Sequence, residues 1–207
     1  MTKNNKFKEQ YLALDNQGQI DLINEKMRER GLAEFKEIKS IKDALPLVRQ
    51  WNEEVMFLKE GHRNLVYKKQ LEEEMLEEEY NELRQSKTLV ERLDAIGDIT
   101  FVFWGSMAKL GLMKHTDTFT ILVILGLIEH LDIRKASIAN LCDINKKQKV
   151  AKVDVILCDL LNVVAKSNYT KFIGGYSDKN GKFRKGESFV DPTHDLEKLI
   201  LKYDLSE

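Results

Sequence analysis

The residues from Leu71 to Gly111 constrain this chain most, because they read as two amphipathic helices joined by a polar turn: LEEEMLEEEYNEL, then Gln85-Ser86-Lys87-Thr88, then LVERLDAIGDITFVFWGSMAKLG. At about 100° per residue, Leu71, Met75, Leu76, Tyr80 and Leu83 cover one half of the first helix. Glu79 and Glu82 fall inside that apolar half. Glu73, Glu74 and Glu77 fall on the opposite half, where a charge run is ordinarily a solvated face, and Glu78 sits at the border. In the second helix Asp94 and Asp98 lie one turn apart on a face that continues into Phe101, Val102 and Gly105. The stretch from Ile99 to Trp104 is apolar around nearly the whole helix, which marks a buried segment, so Asp98 is expected to enter the core.

An ionised carboxylate in a core is costly unless it is paired or binds a metal. No Lys or Arg lies between Arg92 and Lys109 to pair with Asp98 locally. Two antiparallel arms bring Glu79 and Glu82 opposite Asp94 and Asp98, a set of hard oxygen donors of the kind Mg²⁺ prefers and Mn²⁺ also accepts. The competing interpretation of the glutamate run is a solvated acidic coiled-coil arm, and the buried position expected for Asp98 weighs against it.

The rest of the chain fits an all-α protein, a helical bundle built on the acidic hairpin with a short loop and β-turn region near the C-terminus. With 207 residues, 32% charged and 43% hydrophobic side chains and two prolines, the composition favours a helix-rich soluble fold over disorder. Residues 1–40 carry one or two short helices ending near Gly31, an N-terminal appendage to a domain covering 41–207. A stripe from Ile41 through Leu45, Val48, Trp51 and Val55 to Leu58 is a further amphipathic helix. Trp51 and Asn52 have two readings, a core stripe or groups facing a bound base, and the core reading is favoured. His62 reads as a surface residue, and Arg63 as a surface residue within reach of a phosphate.

A helix from about Thr118 to Leu131 and a shorter one between Lys135 and Asn145 form an extra segment over about 115–150. Val150 to Lys166 is another amphipathic helix. The glycine-rich and locally basic stretch from Ser167 to Pro192 signals turns, with Lys182-Phe183-Arg184 as a short strand, and His194 to Tyr203 closes the chain as a helix. Cys142 and Cys158 lack metal-ligand spacing and read as reduced thiols of a cytoplasmic protein. No secretory signal opens the chain, and the most apolar window, Phe119 to Leu131, is too short to span a bilayer. A formal net charge of −1, without an extended basic and aromatic surface, argues against nucleic acid as a partner.

The motifs resemble a known family, the all-α nucleoside triphosphate pyrophosphohydrolases of the MazG-like type, in the phosphoribosyl-ATP pyrophosphohydrolase-like branch often carried by bacteriophages. Glu78-Glu79-Tyr80-Asn81-Glu82-Leu83, Asp94-Ala95-Ile96-Gly97-Asp98 and the aromatic run through Leu110-Gly111 are similar to that branch in order. So are Ser167-Asn168-Tyr169-Thr170-Lys171, Gly181-Lys182-Phe183-Arg184-Lys185-Gly186 and Asp191-Pro192. The likeness covers roughly Val48 to Leu201. The chain departs from the wider superfamily at Ala95, where a metal-binding Glu is usual, with Asp94 one residue earlier. A second register, Glu74 and Glu77 with Glu91 and Asp94, also matches, but Glu74 and Glu77 lack apolar neighbours.

The resemblance implies hydrolysis of a nucleoside or deoxynucleoside triphosphate between its α- and β-phosphates, releasing pyrophosphate. It implies Mg²⁺ held by Glu79, Glu82, Asp98 and Asp94, and catalytic roles for Glu79 and for Glu78, as a ligand to a second ion or as the group orienting the attacking water. It further implies that Asn168, Lys171, Lys182 and Lys185 contact phosphates, in a homodimer or homotetramer in the cytoplasm, the host's if phage-encoded. The alternative function is a catalytically inactive helical scaffold acting as a protein-interaction module, suggested by Ala95 and the two extended segments.

Overall fold

A computed structural model of the chain describes residues 3–112, 146–179 and 182–205. Seven helices and one two-stranded ribbon are found among the described residues. They are α1 (Lys3–Leu12), α2 (Asn16–Glu29), α3 (Ile41–Glu60), α4 (Lys69–Gln85), α5 (Leu89–Lys109), α6 (Lys146–Thr170), β1 (Tyr176–Ser177), β2 (Phe183–Arg184) and α7 (Thr193–Tyr203). The protein is all-α, with its only described strands near the C-terminus. The segments expected as helices between Thr118 and Asn145, and with them Cys142, lie outside the described residues.

Local chemistry sets the helix ends. The Asp15 carboxylate accepts from the Gly18 N–H at 2.8 Å and caps α2. Reciprocal capping boxes open two longer helices, Ser40 with Asp43 on α3 and Thr88 with Glu91 on α5. Gly61 stops α3 in the left-handed region at φ 76°, returning its N–H to the Phe57 carbonyl, and Gly111 turns the chain out of α5 at φ 71°. α3 and α5 thus have defined ends, and α2 a defined start, before any tertiary contact forms.

The hairpin of α4 and α5 packs with α3, α6 and α7 around one core, in which Leu93, Leu157, Leu160, Tyr169, Phe172 and Leu196 are fully buried. α5 meets α6 closely at Gly97, where an added Cβ would sit 2.3 Å from Val164 Cγ2. Phe7, Tyr11, Ile23 and Met27 of α1 and α2 belong to the same core. Polar clamps tie that N-terminal part to α6. Asn162 accepts from the Ile38 N–H at 2.7 Å and donates to the Ile38 carbonyl at 2.8 Å. The buried Lys166 ammonium donates to Asn16 at 2.9 Å and Gln19 at 2.6 Å.

Two expectations need adjustment. Tyr80, placed on the apolar half of α4, is 53% exposed, because α4 turns only its Leu83 end firmly into the core and leaves the middle of the helix along a cleft. α6 also runs further than the apolar pattern suggested, so Ser167, Asn168 and Thr170 belong to its last turn rather than to the loop. Buried hydrogen bonds, from Ser167 Oγ to the Val190 carbonyl and from the Val190 N–H to Thr170 Oγ1, compensate for the polar side chains there.

Candidate active site

The site is a cleft walled by α3 on one side and the α4–α5 hairpin on the other, with the end of α6 and strand β2 closing it. Its enclosed volume is about 130 Å³. On α4, Glu72, Met75 and Glu79 line it at intervals of three and four residues. On α5, Asp98, Val102 and Lys109 line it at intervals of four and seven residues, so each helix presents one face to the cleft along its length.

Glu79 and Asp98 stand at the acidic end. Burial, then the charges of Asp98, Glu82 and Glu78, push the Glu79 carboxyl up to about 8, against the opposing pull of Lys171. Burial and the charges of Asp98, Asp191 and Glu82 push Asp94 up to about 7, with Lys185 acting the other way. Lys171, in turn, is lowered by burial while Asp98, Glu79 and Asp94 favour its charge. The four expected metal-binding carboxylates therefore share one electrostatic field, and Lys171 and Lys185 lie within it.

That field is wider than a ligand shell. Among the described residues no three His, Cys, Asp or Glu side chains stand in ligating positions around one point. The residues themselves, Glu79, Glu82, Asp94 and Asp98, are carboxylates, the donor type a hard divalent cation takes, but they are not gathered into a ligating group. Asp98, expected inside the core, is half-buried on the cleft wall. Its neighbours Ala95, Gly97 and Phe101 take the buried positions, Gly97 against Val164 of α6. Glu82 is exposed at the mouth.

Ala95 is 3% exposed and packs in the core, so the side chain one residue earlier, Asp94, is the one that reaches the acidic field. Residues of the second register are not brought together. Glu74 and Glu77 are exposed, and Glu91 has its carboxylate committed to the backbone N–H groups of Lys87 and Thr88.

The expected basic groups are placed individually. Lys171 is at the acidic end. Lys182 lines the cleft and forms an ion pair with the exposed Glu78. Lys185 lies 4.3 Å over the Phe189 ring, within the field of Asp94. Asn168, 3% exposed, lines the cleft. Arg63 is held elsewhere, donating to Glu54 at 2.8 and 3.0 Å and lying over Phe57.

Trp51 is packed as the core reading expects and also borders the cleft. It packs edge-on against Phe101 at 5.5 Å and donates its Nε1–H to the Asn168 carbonyl, yet it is half-buried and lines the cleft. Asn52 projects across Gly105, where a Cβ would come within 2.8 Å of its Nδ2. Sequence reasoning missed Glu72, which is 2% exposed at the opposite end of the cleft and accepts from Ser106 Oγ at 2.6 Å and from Lys109 Nζ at 2.5 Å. Its seven-residue spacing from Glu79, which puts the two on one face, was the available signal. Asp191, beside its proline, was likewise not singled out as a site residue.

Neither a protein-family model, nor a curated protein, nor a solved structure matches this chain. Among the described residues no helix is long and apolar enough to cross a membrane.

Proposed function

We propose that this chain is a Mg²⁺-dependent nucleoside triphosphate pyrophosphohydrolase of the MazG-like kind, acting in the cytoplasm on the nucleotide pool as a homodimer or homotetramer. The observation that carries this reading is the raised Glu79 and Asp94 carboxyls, both pushed up by burial and by the charge of Asp98, beside a cleft lined by Glu79, Asp98, Lys171 and Trp51. Perturbed carboxylates gathered in a concave site are the mark of a functional centre more than of a solvated acidic arm.

Glu79, Glu82, Asp94 and Asp98 would hold the Mg²⁺. When bound, the ion would supply Lewis-acid polarisation of phosphoryl oxygens and a more acidic water. In the metal-free site Glu79 keeps its proton up to about 8, so it would have to give that proton up to hold the ion, and only as the carboxylate could it then accept one from the attacking water. Lys171 at the acidic end would neutralise the oxygens of the triphosphate, while Lys185 adds charge from the loop. Glu78 is paired with Lys182, so a phosphate contact by Lys182 would exchange the carboxylate for the substrate and free Glu78 to orient water or hold a second ion. The apolar middle of the cleft would exclude solvent from the leaving groups.

The test is pyrophosphate release from a panel of natural ribo- and deoxyribonucleoside triphosphates with Mg²⁺. Turnover that vanishes in Glu82→Gln and Asp98→Asn, with helical circular dichroism unchanged, supports the enzyme. A folded protein with no turnover on any triphosphate supports the second reading, an inactive helical interaction module, which the buried Ala95 in place of a glutamate favours.

A further inference from the structure

The end of the cleft remote from Glu79 and Asp98 is cationic. Lys59 of α3, Lys68 at the start of α4 and Lys109 at the end of α5 all line the cleft. Helix geometry places them together. Trp51 stands edge-on to Phe183 and gives its Nε1–H to the Asn168 carbonyl, so it lies where α6 and β2 close the cleft. Lys59 follows it by eight residues on the same helix, about 12 Å further along. Lys68 precedes Glu72 by one turn of α4 and stands about 16 Å from Glu79 along that axis. Lys109 is bonded to Glu72 itself at 2.5 Å. Three elements therefore deliver ammonium groups to one end of the cleft.

Carboxylates at that end do not balance them. Glu72 is committed to Lys109 and Ser106. Glu60 lies 3.6 Å from Lys59, but it is shared with His62 at 3.2 Å and does not line the cleft. Lys68 makes no ion pair among the described residues. Lys59 and Lys109 fall in the last turns of their helices, where a cation complements the dipole, and that alone would account for both. It does not account for Lys68. A cation at the N-terminus of α4 meets the positive end of the dipole, and no side-chain cap offsets it. An anion between the three ammonium groups removes this conflict. Each ammonium has three N–H donors, and Lys109 directs one of its own at Glu72. Charge-assisted bonds from several directions match the oxygens of a tetrahedral oxyanion.

We propose that this end of the cleft is a phosphate-binding subsite, in which Lys59, Lys68 and Lys109 hold one oxyanion without a metal ion. The oxyanion is free phosphate or pyrophosphate, or a phosphate group carried by the molecule that fills the cleft; the recognising chemistry is the same. The subsite is separate from the acidic end and does not rest on the pyrophosphohydrolase reading.

The probes are inorganic phosphate and pyrophosphate, titrated calorimetrically into the full chain in chelator-containing buffer at low ionic strength. The expected result is saturable binding of one anion per chain that weakens as salt is added. Lys59→Gln combined with Lys68→Gln should raise the Kd at least about tenfold, which corresponds to about 1.4 kcal/mol. Lys185→Gln, an exposed change near the acidic end, should leave it unaltered. If the double variant loses its cooperative melt, Lys68→Gln alone, at an exposed position, should weaken binding in the same direction.

Absence of saturable binding of either probe to the folded chain overturns the proposal. So does an unchanged Kd in a folded Lys68 variant, and so does a loss of affinity confined to Lys185→Gln, which would put the anion at the acidic end. Repeating the titration with the Mg²⁺ complex of α,β-methylene adenosine triphosphate at saturation separates the two sources. Retained phosphate binding supports a subsite for the free anion, and displacement supports one for a phosphate group of the cleft's own ligand. Phosphate binding that depends on Lys68 in a chain that hydrolyses no triphosphate supports the subsite and overturns the hydrolase alone.

Discussion

Glu79 of α4 faces Asp98 of α5 in one cleft, and after burial itself the Asp98 charge is the largest influence keeping the Glu79 carboxyl protonated up to about 8. The hairpin therefore holds together groups whose ionised forms oppose its closure. Packing elsewhere, at Gly97 against Val164 and in the Leu93 core, sustains that arrangement.

A pH dependence of stability follows. Glu79 and Asp94 have folded-state values raised above their ordinary ones, so their contribution to stability is fully present below the unfolded values and is lost as pH rises through the folded ones. In metal-free buffer the melting temperature should fall as pH rises between about 4.5 and about 8. Mg²⁺ that binds the carboxylates should flatten this fall. A thermal melt series with and without Mg²⁺ measures it, and a Tm that rises over that interval in the metal-free protein would contradict the proposed burial of Glu79.

Replacing Glu79 by Gln separates stability from activity. The neutral amide keeps the shape and needs no proton to stay uncharged, so metal-free Tm at neutral pH should rise by a few degrees, the effect of about 1 kcal/mol in a domain of this size. Pyrophosphate release should drop at least about a hundredfold, the usual contribution of a positioned base. Parallel melts and turnover assays on the one variant read both effects.

Gly97→Ala should destabilise the junction of α5 with α6. The new methyl would lie 2.3 Å from Val164 Cγ2, and overpacking of this kind costs about 1–3 kcal/mol. Adding Val164→Ala should restore part of the loss, giving a non-additive double-mutant cycle in urea denaturation. Additive losses would show that the two side chains are not in contact.

The Glu72–Lys109 pair is buried, with side-chain exposures of 2% and 12%. Lys109→Met should cost about 3–5 kcal/mol, because it leaves Glu72 charged and without its cation. The double replacement Glu72→Gln with Lys109→Met should cost less than Lys109→Met alone. Chemical denaturation of both variants tests the ordering.

Much of the architecture was legible in the linear order of residues. The polar turn from Gln85 to Thr88, the helix end near Gly31 and the acidic spacing of Glu79 with Glu82 and Asp94 with Asp98 are all local patterns, readable within a few turns of helix. The last turn of α6 was not legible as helix. Ser167, Asn168 and Thr170 are polar, and what buries them is the distant segment around Val190. Exposed Tyr80 was misplaced for the converse reason: its apolar spacing is real, but among the described residues no element covers the middle of α4 on that side.

The sequence by itself determined that this is a helical protein with an acidic hairpin, because periodicity and capping act between residues a turn or two apart. Only the tertiary structure decided that Trp51 serves core and cleft together, that Asp98 stops at the cleft wall and that Glu72 finds Lys109 across 37 residues. Which part of an apolar face is covered depends on where other helices dock. That is set by packing between residues far apart in the chain, and no local spacing encodes it.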